Sequence, residues 1–147
     1  MKVTDVKRQV KRDDRYSIFI DGKYSFSLSE TELLSLGLRA GQEYDADELE
    51  TLRKKAVLDK AYDRSLNLIM RRPRSKWEIE DYLRRKDYKP EDINSTVNRL
   101  EAAGHIDDKN FASRWVESRR LLKSSSKRKL ALELRQKRLS DEIIQAA

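Results

Sequence analysis

The chain has no cysteine, one histidine, two prolines and four glycines in 147 residues, and each scarcity removes a class of function. Without thiols there are no disulfides and no thiolate metal sites. The lone His105, next to Gly104, has no second histidine or cysteine with which to hold a metal or activate a nucleophile. The glycines are scattered, so no glycine-rich phosphate loop can be assembled. No apolar run is long enough for a membrane span, and the opening MKVTDVKRQV holds no apolar signal core. These gaps point to a soluble cytoplasmic protein that is not an enzyme and carries neither metal nor cofactor.

What the chain does have is charge. Charged residues make up 40% and hydrophobic ones 37%, which implies a thin core under a heavily charged surface. Disorder is the alternative for such a balance, and the regular apolar spacing along most of the chain argues against it. The net charge of +7 is unevenly placed: residues 1–55 carry 11 basic and 11 acidic side chains, residues 56–147 carry 22 and 15. Within Lys109–Arg138 there are 11 basic residues against 2 acidic. Such a field attracts nucleic acid or an acidic protein surface. A solvated helix face is the bland alternative.

The N-terminal third reads as β structure. Val3–Val10 alternates, and Tyr16–Ile20 and Tyr24–Leu28 are aromatic and β-branched runs around Asp21-Gly22-Lys23, a hairpin signal. Ser29 and Glu32 form a capping-box pattern before Leu33, Leu34 and Leu36, with Gly37 as the stop. Leu38–Tyr44 is a connection or a last short strand. From Asp47 the pattern turns helical as far as Arg71, ahead of Pro73, with Leu58, Ala61, Tyr62, Ser65, Leu68 and Ile69 on the inner face. The run RRPRSKWEIEDYLRRK then opens a helix at Ser75, whose S-x-x-E box ends on Glu78 and whose buried face is Ile79, Tyr82 and Leu83. Pro90, the Asp107 cap, Ser124–Ser126 and Ser140 open four more helices.

Those helices repeat. A shift of 51 residues lays Ala61 on Ala112, Ser75-Lys76 on Ser126-Lys127 and Ile79 on Leu130. It also lays Leu83-Arg84 on Leu134-Arg135, Lys86 on Lys137 and Ile93 on Ile144. Each unit is a trio of helices whose second member ends in L-R-x-K, the signature of stacked units sharing a core. The expected fold is mainly α: tandem three-helix, winged-helix-like repeats preceded by a small β-hairpin-containing module. Expected boundaries are 1–46, 47–105 and 106–147, with the third helix of the last unit incomplete.

The stretches KAYDRSLNLIMRRPRSKWEIEDYLRRKDY, RLEAAGHIDDKNFASRWVESR and LALELRQKRLSDEII resemble the RecX regulatory proteins of bacteria. RYSIFIDGKYSFSLSETELLSLGLRAGQEY resembles the segment that precedes the repeats in many of them, so the likeness covers nearly the whole chain. Its most specific parts are Arg71–Ile79 and Gly104–Asp108. Family members usually carry three helical trios, whereas this chain has room for fewer than two; a naturally short member, an incomplete gene product and a truncated piece all fit. The resemblance implies a role rather than a reaction. RecX proteins bind the RecA recombinase, lie in the groove of its filament on DNA, and restrain its ATPase, strand exchange and co-protease activities.

The candidate RecA- or DNA-binding surface is Arg71, Arg72, Arg74, Lys76, Arg84, Arg85, Arg114, Arg119, Arg120, Lys123, Lys127, Arg128, Arg135 and Lys137, with Lys129 and Arg138 in the same basic set. Repetition should place the 71–86 and 122–137 edges along one side of the stack. Arginine there suits carboxylates and phosphates alike. Trp77 lies about 200° off the inner stripe and is a candidate anchor among Arg74, Lys76 and Arg84, or else lodges against the β module. Trp115 follows Phe111 on a core stripe and is expected to be buried. The Asp13-Asp14 and Asp107-Asp108 pairs are expected to be structural, one in a charged turn and one at a helix start.

Three functions compete. The first is a monomeric regulator of RecA filaments, acting in recombination, DNA repair and the SOS response. The second is a non-specific DNA-binding module of winged-helix type, which predicts affinity for bare single- or double-stranded DNA that falls steeply with salt. The third is a helical scaffold whose charge serves only solubility.

Overall fold

The structure, a computed structural model, describes residues 1–11, 14–122 and 126–147, leaving the side chains of 120–122 undescribed. The chain divides into two compact units, Met1–Arg64 and Ser65–Ala147.

The first unit contains a three-stranded antiparallel sheet, β1 (Val3–Arg8), β2 (Arg15–Ile20) and β3 (Lys23–Ser29), in the order β1-β2-β3. Ile20 pairs with Lys23 across the two-residue turn Asp21-Gly22, whose φ values of 50° and 82° are both positive. That geometry is why Asp-Gly stands there: such a turn matches the twist of the strands it joins. Alternate residues of the strands (Val3, Ile18, Ile20, Phe26, Leu28) supply one face of a core completed by Leu38, Leu49, Leu52 and Ala56. α1 (Glu30–Leu36) starts on Ser29, whose hydroxyl accepts from the Glu32 amide, and stops at Gly37 in the left-handed conformation. The segment after it is a connection that makes one isolated bridge, Lys2 with Glu43, beside backbone bonds to Val3 and Met1.

α2 spans Ala46–Arg71, and the boundary between the units falls within it. It begins slightly before Asp47 because Asp45 and Glu48 make the reciprocal cap: the Glu48 amide donates to Asp45 at 2.8 Å and the Asp45 amide to Glu48 at 3.3 Å. Its first half buries Leu49, Leu52 and Ala56. Asp59 is also buried, and the sequence pattern had no place for it.

The second unit holds α3 (Lys76–Arg85), α4 (Pro90–Ala102), α5 (Asp108–Leu122), α6 (Lys127–Gln136) and α7 (Asp141–Ala146). The repeat is visible down to single dihedral angles. α3 and α6 are both ten residues long, start on the serine caps Ser75 and Ser126, and bury Ile79/Leu83 and Leu130/Leu134 at matching positions. Both end on a lysine, Lys86 or Lys137, followed by a non-glycine residue with positive φ, Asp87 (65°) or Arg138 (60°). Ala61 and Ala112, which match in the repeat, are each fully buried. The units differ in their third helix: α4 has 13 residues and buries Ile93, Thr96, Val97 and Leu100, whereas α7 has 6 and buries Ile144.

Candidate interaction surface

The N-terminal end of α3 organises the second unit. Ser75 is fully buried and its hydroxyl takes the Glu78 amide at 3.2 Å, while Glu78 reaches back to the Ser75 amide at 3.1 Å. The same hydroxyl donates to the carbonyl of Lys137 at 3.0 Å, and the Lys137 ammonium meets Glu78 Oε2 at 3.2 Å. Arg72 pairs with that oxygen too, at 3.2 Å. Burial pushes the Glu78 carboxyl up, but the Ser75 amide, Lys137 and Arg72 outweigh it and hold the group below its ordinary value. The next amide, Lys76, donates to Asp108 Oδ1 at 2.9 Å, so the two runs most characteristic of the resemblance, Arg71–Ile79 and Gly104–Asp108, are bonded to each other. Burial raises the Asp108 carboxyl, with Glu101 and Asp107 adding to the rise against the Lys76 bond. Asp107 caps α5 through the Asn110 amide at 3.2 Å.

Most of the described basic residues fall into two groups. One group is ion-paired within the fold. Besides Arg72 and Lys137, Lys76 pairs with Glu101 at 3.4 Å, Arg119 with Glu133 at 2.6 Å and Arg135 with Asp141 at 3.7 Å. Arg84 and Arg85 both turn onto Asp81, one turn earlier on the same helix, a spacing that was readable from the sequence. The other group is Arg71, Arg114, Lys127, Arg128 and Lys129, exposed and without a carboxylate at ion-pair distance among the described residues. Arg74 is half-buried, and its Nε donates to the Leu68 carbonyl at 3.3 Å. Burial and the neighbouring Arg72 and Arg71 press its guanidinium below the ordinary value, against the opposing pull of Glu78. Lys123, with Ser124, Ser125 and Asp13, lies outside the described residues, as does the side chain of Arg120.

The free cations on α6 are unlike their counterparts on α3. The first turn of α6 carries Lys127, Arg128 and Lys129 and no acid, whereas that of α3 contains Glu78. Positive charge at a helix N-terminus works against the macrodipole. A cleft of about 240 Å³ is lined by the apolar Ile69, Pro73 and Phe111 and by Arg74, Arg114, His105, Asn110 and Asp107.

Trp77 has the partial exposure its spacing predicts, whereas Trp115 lacks the full burial predicted for it. Trp115 is half-buried rather than buried: its ring stacks on Phe111 at 5.9 Å and is flanked by Arg119 at 5.3 Å and Lys137 at 5.6 Å. A core stripe predicted burial, and the ring does pack against the Phe111 cluster with its Nε1 buried, but part of its surface stays exposed. Trp77 is also half-buried, and the guanidinium over its ring, at 5.5 Å, is that of Arg138. Among the described residues no group of three or more His, Cys, Asp or Glu side chains could hold a metal, and no helix is long and apolar enough to cross a membrane.

A small sheet followed by tandem capped three-helix units defines a helical-repeat fold. The chain belongs to the RecX family. Three family models match it in order: the regulatory protein RecX N-terminal domain over 1–45, the RecX first three-helix domain over 61–100, and the second three-helix domain over 107–147. It is 32% identical over 144 residues to regulatory protein RecX of Listeria welshimeri, covering 98% of this chain and 54% of that one. Against regulatory protein RecX of Bacillus subtilis it is 30% identical over 145 residues, covering 99% and 55%. The chain thus spans about half the length of the curated relatives it matches. A crystal structure of a regulatory protein RecX aligns with a TM-score of 0.76 at 27% identity, over 99% of this chain and 71% of that one. That of RecX from Lactobacillus salivarius aligns at 0.61 and 28% identity, over 62% and 59%. These relatives are named as regulatory proteins and not as enzymes.

Proposed function

We propose that this chain is a cytoplasmic, non-enzymatic regulator that binds RecA recombinase filaments and restrains their ATPase, strand exchange and co-protease activities. The observation that carries this reading is the ordered match of three RecX family models, on a chain whose second unit exposes Arg71, Arg114, Lys127, Arg128 and Lys129 with no carboxylate at ion-pair distance among the described residues. A filament of protein wound on DNA presents the carboxylates and phosphates that such cations recognise. The expected outcome is a dose-dependent fall in ATP hydrolysis when the purified chain is titrated into RecA with single-stranded DNA. Unchanged hydrolysis at stoichiometric excess defeats it.

A second reading has its own support. Lys127, Arg128 and Lys129 stand together at the start of α6 without acidic neighbours in that turn, an arrangement suited to bare nucleic acid. Retention on single-stranded DNA in the absence of RecA tests it.

A further inference from the structure

Two guanidinium groups line one cleft of the second unit with no ion pair to neutralise either among the described residues. Arg74 commits only its Nε, to the Leu68 carbonyl, and Arg114 is exposed. The runs Arg71–Ile79 and Gly104–Asp108 both contribute to the lining, through Pro73, Arg74, Gly104, His105 and Asp107.

Charge, size and lining narrow the ligand. Asp107 in the lining disfavours a dianion such as a terminal phosphate; a carboxylate and a backbone phosphodiester are both monoanions, so charge alone does not separate them and size and lining carry the choice. The space, about 240 Å³, lies below the roughly 300–1,000 Å³ of nucleotide and cofactor sites. It accommodates one side chain. Ile69, Pro73 and Phe111 offer apolar surface for a methylene stem beside the two planar forks.

We propose that this cleft seats the carboxylate of a glutamate or aspartate side chain presented by an acidic segment of a protein partner. The proposal rests on the reading of the chain as a protein-binding regulator and adds the chemistry of one contact. Nucleic-acid phosphate as the true occupant is the alternative that the test resolves.

The probes are a labelled short poly-glutamate peptide and a labelled oligothymidylate, each titrated into the intact chain and followed by fluorescence anisotropy. Arg114→Glu is expected to weaken the peptide about tenfold, the loss of a charge-assisted contact, and to weaken oligothymidylate less. Arg74→Gln should weaken the peptide in the same direction, and Arg114→Lys should fall between wild type and Arg114→Glu because an ammonium lacks the planar fork. Arg114 is exposed, so its variants keep the fold, and a melting curve verifies this; should Arg74→Gln fail to fold, the Arg114 pair decides. Peptide affinity unchanged in Arg114→Glu overturns the proposal, as does a larger loss for oligothymidylate than for the peptide. If the wild type leaves RecA hydrolysis untouched, the regulator reading falls, while the peptide titration still decides what the cleft takes.

Discussion

Arg15 carries its charge to a position where 4% of its surface meets solvent. Its Nη1 bonds Asp63 at 2.8 Å, its Nη2 bonds Ser27 at 3.0 Å, and Asp59 lies at 3.5 Å. Asp59 in turn takes the amide and hydroxyl of Ser29, at 2.8 and 2.7 Å. The network joins β2, β3 and α2 of the first unit and fixes where α1 starts, since Ser29 is its cap. Arg15→Ala should therefore cost about 3–5 kcal/mol, because the buried Asp59 would lose the positive charge that Arg15 brings beside it. Urea unfolding measures it, and a cost below about 1 kcal/mol would show the carboxylates rehydrating freely. None of this was legible beforehand. Arg15 sits in a run of five charged or polar residues that reads as a turn, and Asp59 interrupts an apolar helix face by its chemistry while obeying it by its position. Periodicity ranks residues by hydrophobicity and so cannot find a buried ion pair.

At the scale of elements the sequence was far more informative, since caps are local. Ser29, Ser75, Ser126 and Ser140 each accept the amide expected of them, because a serine oxygen three residues upstream needs nothing but its own helix. What the local signal missed was the partner in trans: Asp108 on the Lys76 amide and Lys137 on Glu78. These two carboxylates titrate with opposite sign. Glu78 is held below its ordinary value, so its contribution is complete above the unfolded-state value and is lost as pH falls through the folded one. Glu78→Gln should thus cost about 1 kcal/mol near neutrality, and the gap to wild type should close on acidification. Asp108 is held above its ordinary value, so wild-type stability relative to Asp108→Asn should decline as pH rises from the ordinary aspartate value through the raised one. Melting temperatures of both variants across the acid range check the two signs together; parallel trends would refute the assignment.

The whole molecule is a sum of these units with an uneven charge. Its excess of 22 basic over 15 acidic residues lies beyond residue 55, and among the described residues the cations of early α6 meet no carboxylate at ion-pair distance while those on α3 are paired. Reversing Lys127, Arg128 and Lys129 to glutamate should abolish most retention on single-stranded DNA and flatten its salt dependence, while leaving the fold intact and improving the first turn of α6. Retention measured at several salt concentrations decides this, and an unaltered slope would move nucleic-acid contact elsewhere. The repeat itself was legible from a shift of 51 residues, because duplicated helices keep the same apolar positions. Which cations would be free was not, since that depends on carboxylates brought from other helices, as Glu101 is to Lys76 and Glu133 to Arg119. The bolt of Ser75 and Glu78 onto Lys137 has a mechanical consequence. Both bonds land on the same residue at the end of α6, so a load on that end reaches α3 through Lys137. The first turn of α3 is thereby the anchorage at which the later trio is fastened to the earlier one.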